Sequence, residues 1–175
     1  MANDFRKGDK ITLVNGDVAK VIEKLGEGGQ GAVYRVKIGK QEYALKWYHK
    51  DAIGNAKKFY KNLENNIAHG APSEAFLWPR FLTEPMDGSF GYVMELRPGN
   101  YKEFSDFLLA RVRFASLSAA VNAALNITNG FRELHRRGFS YQDLNDGNFF
   151  IDPSDGKVLI CDNDNVAPYG ENLGI

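Results

Sequence analysis

One cysteine, Cys161, among 175 residues leaves no partner for an internal disulfide and no thiolate set for a Cys-rich zinc site. A reducing, cytoplasmic setting fits such a chain. Excess charge of either sign is also missing: 22 basic and 22 acidic residues sum to zero. That balance argues against a general nucleic-acid binder, which would carry a basic surplus. The N-terminus, MANDFRKGDK, lacks the apolar core of a secretory signal. The longest apolar-rich stretch, 107–127, is interrupted by Arg111 and Arg113 and falls short of a membrane span. Repeats, low-complexity tracts and proline-rich linkers are absent too. What is there is a chain 43% apolar, enough for a core, and of a length that predicts one domain or two small lobes.

The densest chemistry lies in 141–164, YQDLNDGNFFIDPSDGKVLICDND. Two apolar runs, Phe149-Phe150-Ile151 and Val158-Leu159-Ile160, flank a cluster of turn formers, Asp152-Pro153-Ser154-Asp155-Gly156. The pattern predicts a short hairpin. Closing it brings Asp143, Asn148 and Asp162 to one edge. Oxygen-bearing side chains in that arrangement suit a hard cation such as Mg²⁺, which takes one or two protein ligands beside substrate phosphates. The same residue types cap ordinary turns, and the hairpin alone does not choose between the two.

Upstream, Asn15-Gly16 between two apolar runs predicts a hairpin. Gly26, Gly28 and Gly31 make a G-x-G-x-x-G. A dinucleotide fingerprint would open a helix, but the near-alternating residues 33–38 predict a strand, and no G-K-[ST] is present. Strand, glycine loop, strand is the reading, with main-chain N–H groups able to approach a polyphosphate. Lys46 lies within an apolar strand over 42–48, where it either snorkels to water or aims its charge at a phosphate. A helix over 56–68 follows from Phe59, Leu63 and Ile67, and Gly70 and Pro72 end it. Glu64 borders that apolar stripe, so it either faces the sheet and meets Lys46 or stands exposed. Strands near 80–84 and 90–95 flank Asp87-Gly88, and Pro98-Gly99 reads as a hinge between lobes 1–97 and 98–175. Beyond it, 101–109 reads as helical. A long helix closed by Gly138 follows, with Leu117, Val121, Ala124, Thr128, Phe131 and His135 along one face.

Taken in order, GEGGQGAV, YALK, a helical glutamate, YVMEL, QDLNDGN and a strand ending in aspartate resemble the eukaryotic-like protein-kinase catalytic domain, in particular its bacterial Ser/Thr type. The resemblance runs from about Val21 and implies a two-lobed α+β fold. It has an antiparallel N-lobe sheet with one helix and an incomplete, mainly helical C-lobe cut short within the activation segment. It also implies an ATP-dependent, Mg²⁺-assisted transfer of phosphate to a protein Ser or Thr. By that resemblance Gly26, Gly28 and Gly31 cover the phosphates, and Lys46 contacts them while paired with Glu64. Val33, Ala44 and Phe150 sandwich adenine, Met94 is the gatekeeper, and the backbone of Glu95 and Arg97 bonds the base. Asp143 accepts the substrate proton, and Asn148 and Asp162 hold the metal. The expected partner is a protein substrate, with neither nucleic acid nor membrane. An uncovered apolar C-lobe surface would pair two copies.

Four positions depart from the pattern. Gln142 replaces the arginine before the catalytic aspartate and cannot grip an activation-loop phosphate, so activity is expected not to require one. Asn145 stands where a lysine is usual. Asp162-Asn163-Asp164 replaces Asp-Phe-Gly, which keeps a small-molecule kinase of related fold open. A nucleotide-binding pseudokinase is the non-enzymatic alternative.

Overall fold

In the computed structural model, which describes residues 4–173, the chain divides into two units. The first comprises the chain up to Gly70 with Pro79–Leu96 and Leu173; the second comprises Ala71–Trp78 and Arg97–Asn172.

The first unit is built on an antiparallel sheet of order β1-β2-β3-β4-β6-β5. Its strands are β1 (Lys10–Thr12), β2 (Val18–Glu27), β3 (Gly31–Ile38), β4 (Gln41–Tyr48), β5 (Phe81–Leu82) and β6 (Gly91–Glu95), and one helix, α1 (Ala56–His69), follows β4. The Asn15-Gly16 turn forms as expected: Gly16 has φ +88°, and Ile11 pairs with Ala19 across it. At Asp87-Gly88 both central residues have positive φ, the backbone of a tight hairpin turn. Period-two alternation gives the sheet two distinct faces. Tyr34, Val36, Tyr43, Leu45, Trp47 and Val93 point into one core with Ile11, Leu13 and Phe5. Val33, Ala44, Lys46 and Met94 belong to the opposite face, since Val33 pairs with Lys46 and Ala44 with Met94.

The second unit packs around Phe76, Trp78, Leu134, Phe139, Phe149, Ile151 and Ile160. Its elements are β7 (Lys102–Glu103), α2 (Phe104–Leu108), α3 (Leu117–Arg136), β8 (Phe139–Tyr141), β9 (Phe149–Ile151), β10 (Val158–Ile160) and β11 (Val166–Pro168). The 71–78 segment groups here rather than with the N-terminal half. Leu77 N–H donates to Ile160 O at 2.9 Å, Ile160 N–H donates to Ala75 O at 2.6 Å, and Phe76 and Trp78 fill the second core. The helix expected over 101–109 shrinks to α2, because Lys102 and Glu103 pair with Ile151 and Phe150 instead.

α3 begins where Ser116 Oγ accepts from Ala119 N–H, and Gly138 follows its end with φ +79°. Its buried face differs from the expected one. Ala119, Ala123, Gly130 and Leu134 turn inward, while Leu117, Val121 and Leu125 are exposed. Close approach explains the choice. A Cβ on Gly156 would lie 2.2 Å from Ala119 O, so only small side chains fit where the hairpin meets the helix. Asn126 Nδ2 donates to Gly156 O at 2.8 Å and locks that contact. No helix among the described residues is long and apolar enough to cross a membrane.

Candidate active site

The glycine loop joins β2 to β3 and is closed by Gly28 N–H donating to Gly31 O at 2.8 Å. Its three glycines serve different ends. A Cβ at Gly26 or Gly28 would meet nothing within 4 Å, so these positions leave open space. A Cβ at Gly31 would lie 2.3 Å from Trp47 O, so that glycine is required by strand packing. Lys46 is buried on β4, with Nζ 5.7 Å from the centroid of the Tyr48 ring. The same ring meets Phe59 of α1 edge-on at 5.4 Å.

α1 corrects one expectation. Its inward residues are Phe59, Asn62, Leu63 and Asn66, and Glu64 is exposed. Successive residues advance by about 100°, so positions 62 and 64 lie about 200° apart around the axis. The helix therefore turns amides, rather than the Glu64 carboxylate, toward the interior. Pairing of Lys46 with Glu64 is not what this geometry delivers.

Of the residues expected around adenine, Ala44 and Met94 are buried and Val33 and Glu95 half-buried, with Glu95 in an ion pair with Arg80. In the second unit the Arg97 guanidinium lies 4.0 Å from the centroid of the Phe150 ring and donates to Tyr101 O at 2.7 Å. The ring face of Phe150 thus already has a partner.

The 141–164 segment folds as its turn chemistry predicts. β9 and β10 pair Ile151 with Val158 and Phe149 with Ile160. Asp152 organises the turn by accepting from Ser154 N–H and Oγ–H, which holds its carboxyl below the ordinary range. Cys161 N–H donates to Asn148 O at 2.8 Å, placing Asn148 and Asp162 at the same end of the hairpin. Asn148 Nδ2 donates to Asp143 O at 2.9 Å. Tyr141 Oη donates to Cys161 O at 2.6 Å, and burial, reinforced by Asp162 and Asp164, pushes its phenol well up. Asp162 itself adopts the left-handed conformation, φ 50° and ψ 44°. A non-glycine residue held there is a local strain that concentrates at functional positions.

Three carbonyl- and carboxylate-bearing side chains are thus brought together. Among the described residues no cluster of three or more His, Cys, Asp or Glu could hold a metal alone. Asn148 Oδ1 and the Asp162 carboxylate nevertheless fit magnesium, which needs few protein oxygens when phosphates complete its shell. With Nδ2 committed to Asp143, Oδ1 is the ligating atom Asn148 retains.

A family model of the protein kinase domain matches residues 19–171. The chain belongs to the protein kinase domain family. Solved kinase domains share its fold. A double mutant of the PknI kinase domain from Mycobacterium tuberculosis matches with TM-score 0.67 and 18% identity, over 95% of this chain and 66% of that one. Another PknI kinase domain structure gives 0.66 and 20%, over 90% and 62%. Vaccinia related kinase 3 gives 0.68 and 17%, over 94% and 52%. The chain therefore spans between 52% and 66% of the length of these kinase chains.

Within the kinase fold, the burial of the turn after Asp162 and the partner of Gln142 escaped sequence reasoning. Asn163, Asp164 and Asn165 are all fully buried in the turn after Asp162. Asn163 Nδ2 donates to Leu77 O at 2.9 Å and Ile160 O at 2.8 Å. Asn165 Nδ2 donates to Asp143 Oδ2 at 3.4 Å. The available signal was the run Asp162-Asn163-Asp164-Asn165 directly after an apolar strand, too polar for a core unless its groups are bonded. Gln142 Nε2 donates to Glu171 O, so this side chain holds main chain where an arginine would hold phosphate.

Proposed function

We propose that the chain is a protein kinase that transfers the γ-phosphate of ATP to a Ser or Thr hydroxyl of a protein substrate. The observation that carries this reading is the convergence of Asp143, Asn148 and Asp162 at one end of the β9–β10 hairpin. Asp143, half-buried and bonded by amides, would take the proton of the attacking hydroxyl, a contribution of about 10²–10⁴-fold. Asn148 and Asp162 would hold Mg²⁺, which when bound neutralises charge on the transferred group. In the first unit Lys46 and the open positions Gly26 and Gly28 would receive the phosphates, with Val33, Ala44 and Met94 on the same sheet face for the base. Gln142, bonded to Glu171 O, supports activity without activation-loop phosphorylation.

One observation favours a second reading, a nucleotide-binding regulatory module. α1 turns Asn62 and Asn66 inward where the family resemblance expects a carboxylate. Radiolabel transfer from [γ-³²P]ATP to a generic protein acceptor separates the two. Label on Ser or Thr, lost by about 10²-fold or more in Asp143→Asn, is the kinase outcome. Nucleotide binding without transfer is the module outcome. Label on Tyr alone would overturn the Ser/Thr assignment.

A further inference from the structure

Asn165 stands three residues beyond Asp162, fully buried, at the end of a turn anchored on both sides. Its N–H donates to Asp162 O at 3.2 Å, and its carbonyl accepts from Gln142 N–H at 3.0 Å. β11 then pairs with β8, so the main chain on either side of Asn165 is fixed. The Asn163 bonds to Leu77 O and Ile160 O pin the start of the same turn. The side chain of Asn165 extends from this fixed backbone toward Asp143. Its Nδ2 reaches Asp143 Oδ2, and its Oδ1 is buried with no hydrogen-bond partner among the described residues.

The other groups around Asp143 do not do the same work. Asn148 Nδ2 spends its short bond, 2.9 Å, on Asp143 O and approaches Oδ2 only at 3.5 Å. Asn145, where the family resemblance expects a lysine, donates to Asp143 O at 3.3 Å. The main chain of Asp143 is thus held by two amides. Asn165 is the amide whose side-chain bond goes to the carboxylate alone.

We infer that Asn165 is a positioning residue that holds Asp143 by Oδ2 and leaves Oδ1 to take the substrate proton, in place of a cation at Asn145. This rests on the reading of Asp143 as the proton acceptor. A neutral amide orients the carboxylate through a hydrogen bond without placing a charge against it.

The test is a double-mutant cycle. Asn165→Leu keeps the branching and removes the donor; Asn165→Asp keeps the shape and replaces the donor with an acceptor. Each is measured for kcat, for the KM of ATP and for ADP affinity, in the wild-type and Asp143→Ala backgrounds. A misplaced catalytic group costs up to about 10²-fold. The expected result is a kcat fall of about 10–100-fold for both variants, ADP affinity within about twofold of wild type, and no further fall on Asp143→Ala. Equal losses on both backgrounds, or an unchanged kcat, overturn the inference. If either variant fails to fold, the side-chain NH₂ resonances of Asn165 in the otherwise native protein decide. They must shift on Asp143→Ala, and unmoved resonances overturn the inference. A wild type that transfers no phosphate defeats the kinase reading, and with it the catalytic role of Asn165, while the resonance shift still decides whether the Asn165–Asp143 bond exists.

Discussion

The candidate residues of the two units are held in different ways. On the Asp143 side, several polar side chains are fixed by bonds to main chain: Asn148 to Asp143 O, Asn163 to Leu77 O and Ile160 O, Tyr141 to Cys161 O. Asp143 lies within that frame. On the Lys46 side the surroundings are looser. Gly26 and Gly28 border open space, Glu64 is exposed, and the Lys46 ammonium lies 5.7 Å from the centroid of the Tyr48 ring. A preassembled frame should govern turnover, and a looser one should govern nucleotide affinity, because only interactions stronger in the transition state raise kcat.

The largest expected effect comes from breaking the tighter half. Gly156→Ala would place a methyl 2.2 Å from Ala119 O on a residue at φ +79°. Overpacking plus the left-handed penalty should cost about 3 kcal/mol or more, measurable by urea unfolding. A loss under about 1 kcal/mol would mean the α3–hairpin contact is not as close as described.

The looser half should respond in affinity. If Lys46 contacts phosphate as proposed, Lys46→Met should weaken ATP binding roughly 10–100-fold. Glu64→Gln, at an exposed position, should change it by less than about twofold. Equal losses from the two substitutions in a titration would restore the Lys46–Glu64 pair and contradict the orientation of α1.

That orientation shows where the sequence was readable and where it was not. The β9–β10 hairpin was legible to the residue, because Asp152-Pro153-Ser154-Asp155-Gly156 dictates a turn and a period of two then fixes every partner. The extent of α1 was legible to within a residue and Gly138 closes α3 as expected, whereas the helix read over 101–109 shrinks to α2. Helix faces were not legible. The hydrophobic pattern of α3 points to Leu117 and Val121, but the hairpin demands close approach, and Ala119, Ala123 and Gly130 supply it. In α1 a two-residue difference separates Glu64 from Asn62 and moves the group to the other side of the helix. The burial of the turn at Asn163–Asn165 was invisible for another reason. Its burial depends on partners far away in sequence, such as Leu77, which no local pattern contains.

A smaller effect than that of Lys46→Met concerns the boundary of the base site. Arg97 covers the face of Phe150, a cation–π contact of about 0.5–1 kcal/mol at an exposed position. If adenine takes that face, Arg97→Ala should bind ATP about two- to fivefold more tightly. Weaker binding would show instead that the guanidinium contacts the nucleotide.

Asn148 and Asp162 are central as the proposed holders of magnesium in a nucleotide site. Calorimetric titration of ADP and ATP with Mg²⁺ and with EDTA, for wild type and Asp162→Asn, tests that role most directly. Wild type should bind at least about tenfold more tightly with Mg²⁺, and Asp162→Asn should abolish that difference. Binding that is indifferent to Mg²⁺, or a Mg²⁺ dependence that survives Asp162→Asn, would contradict it.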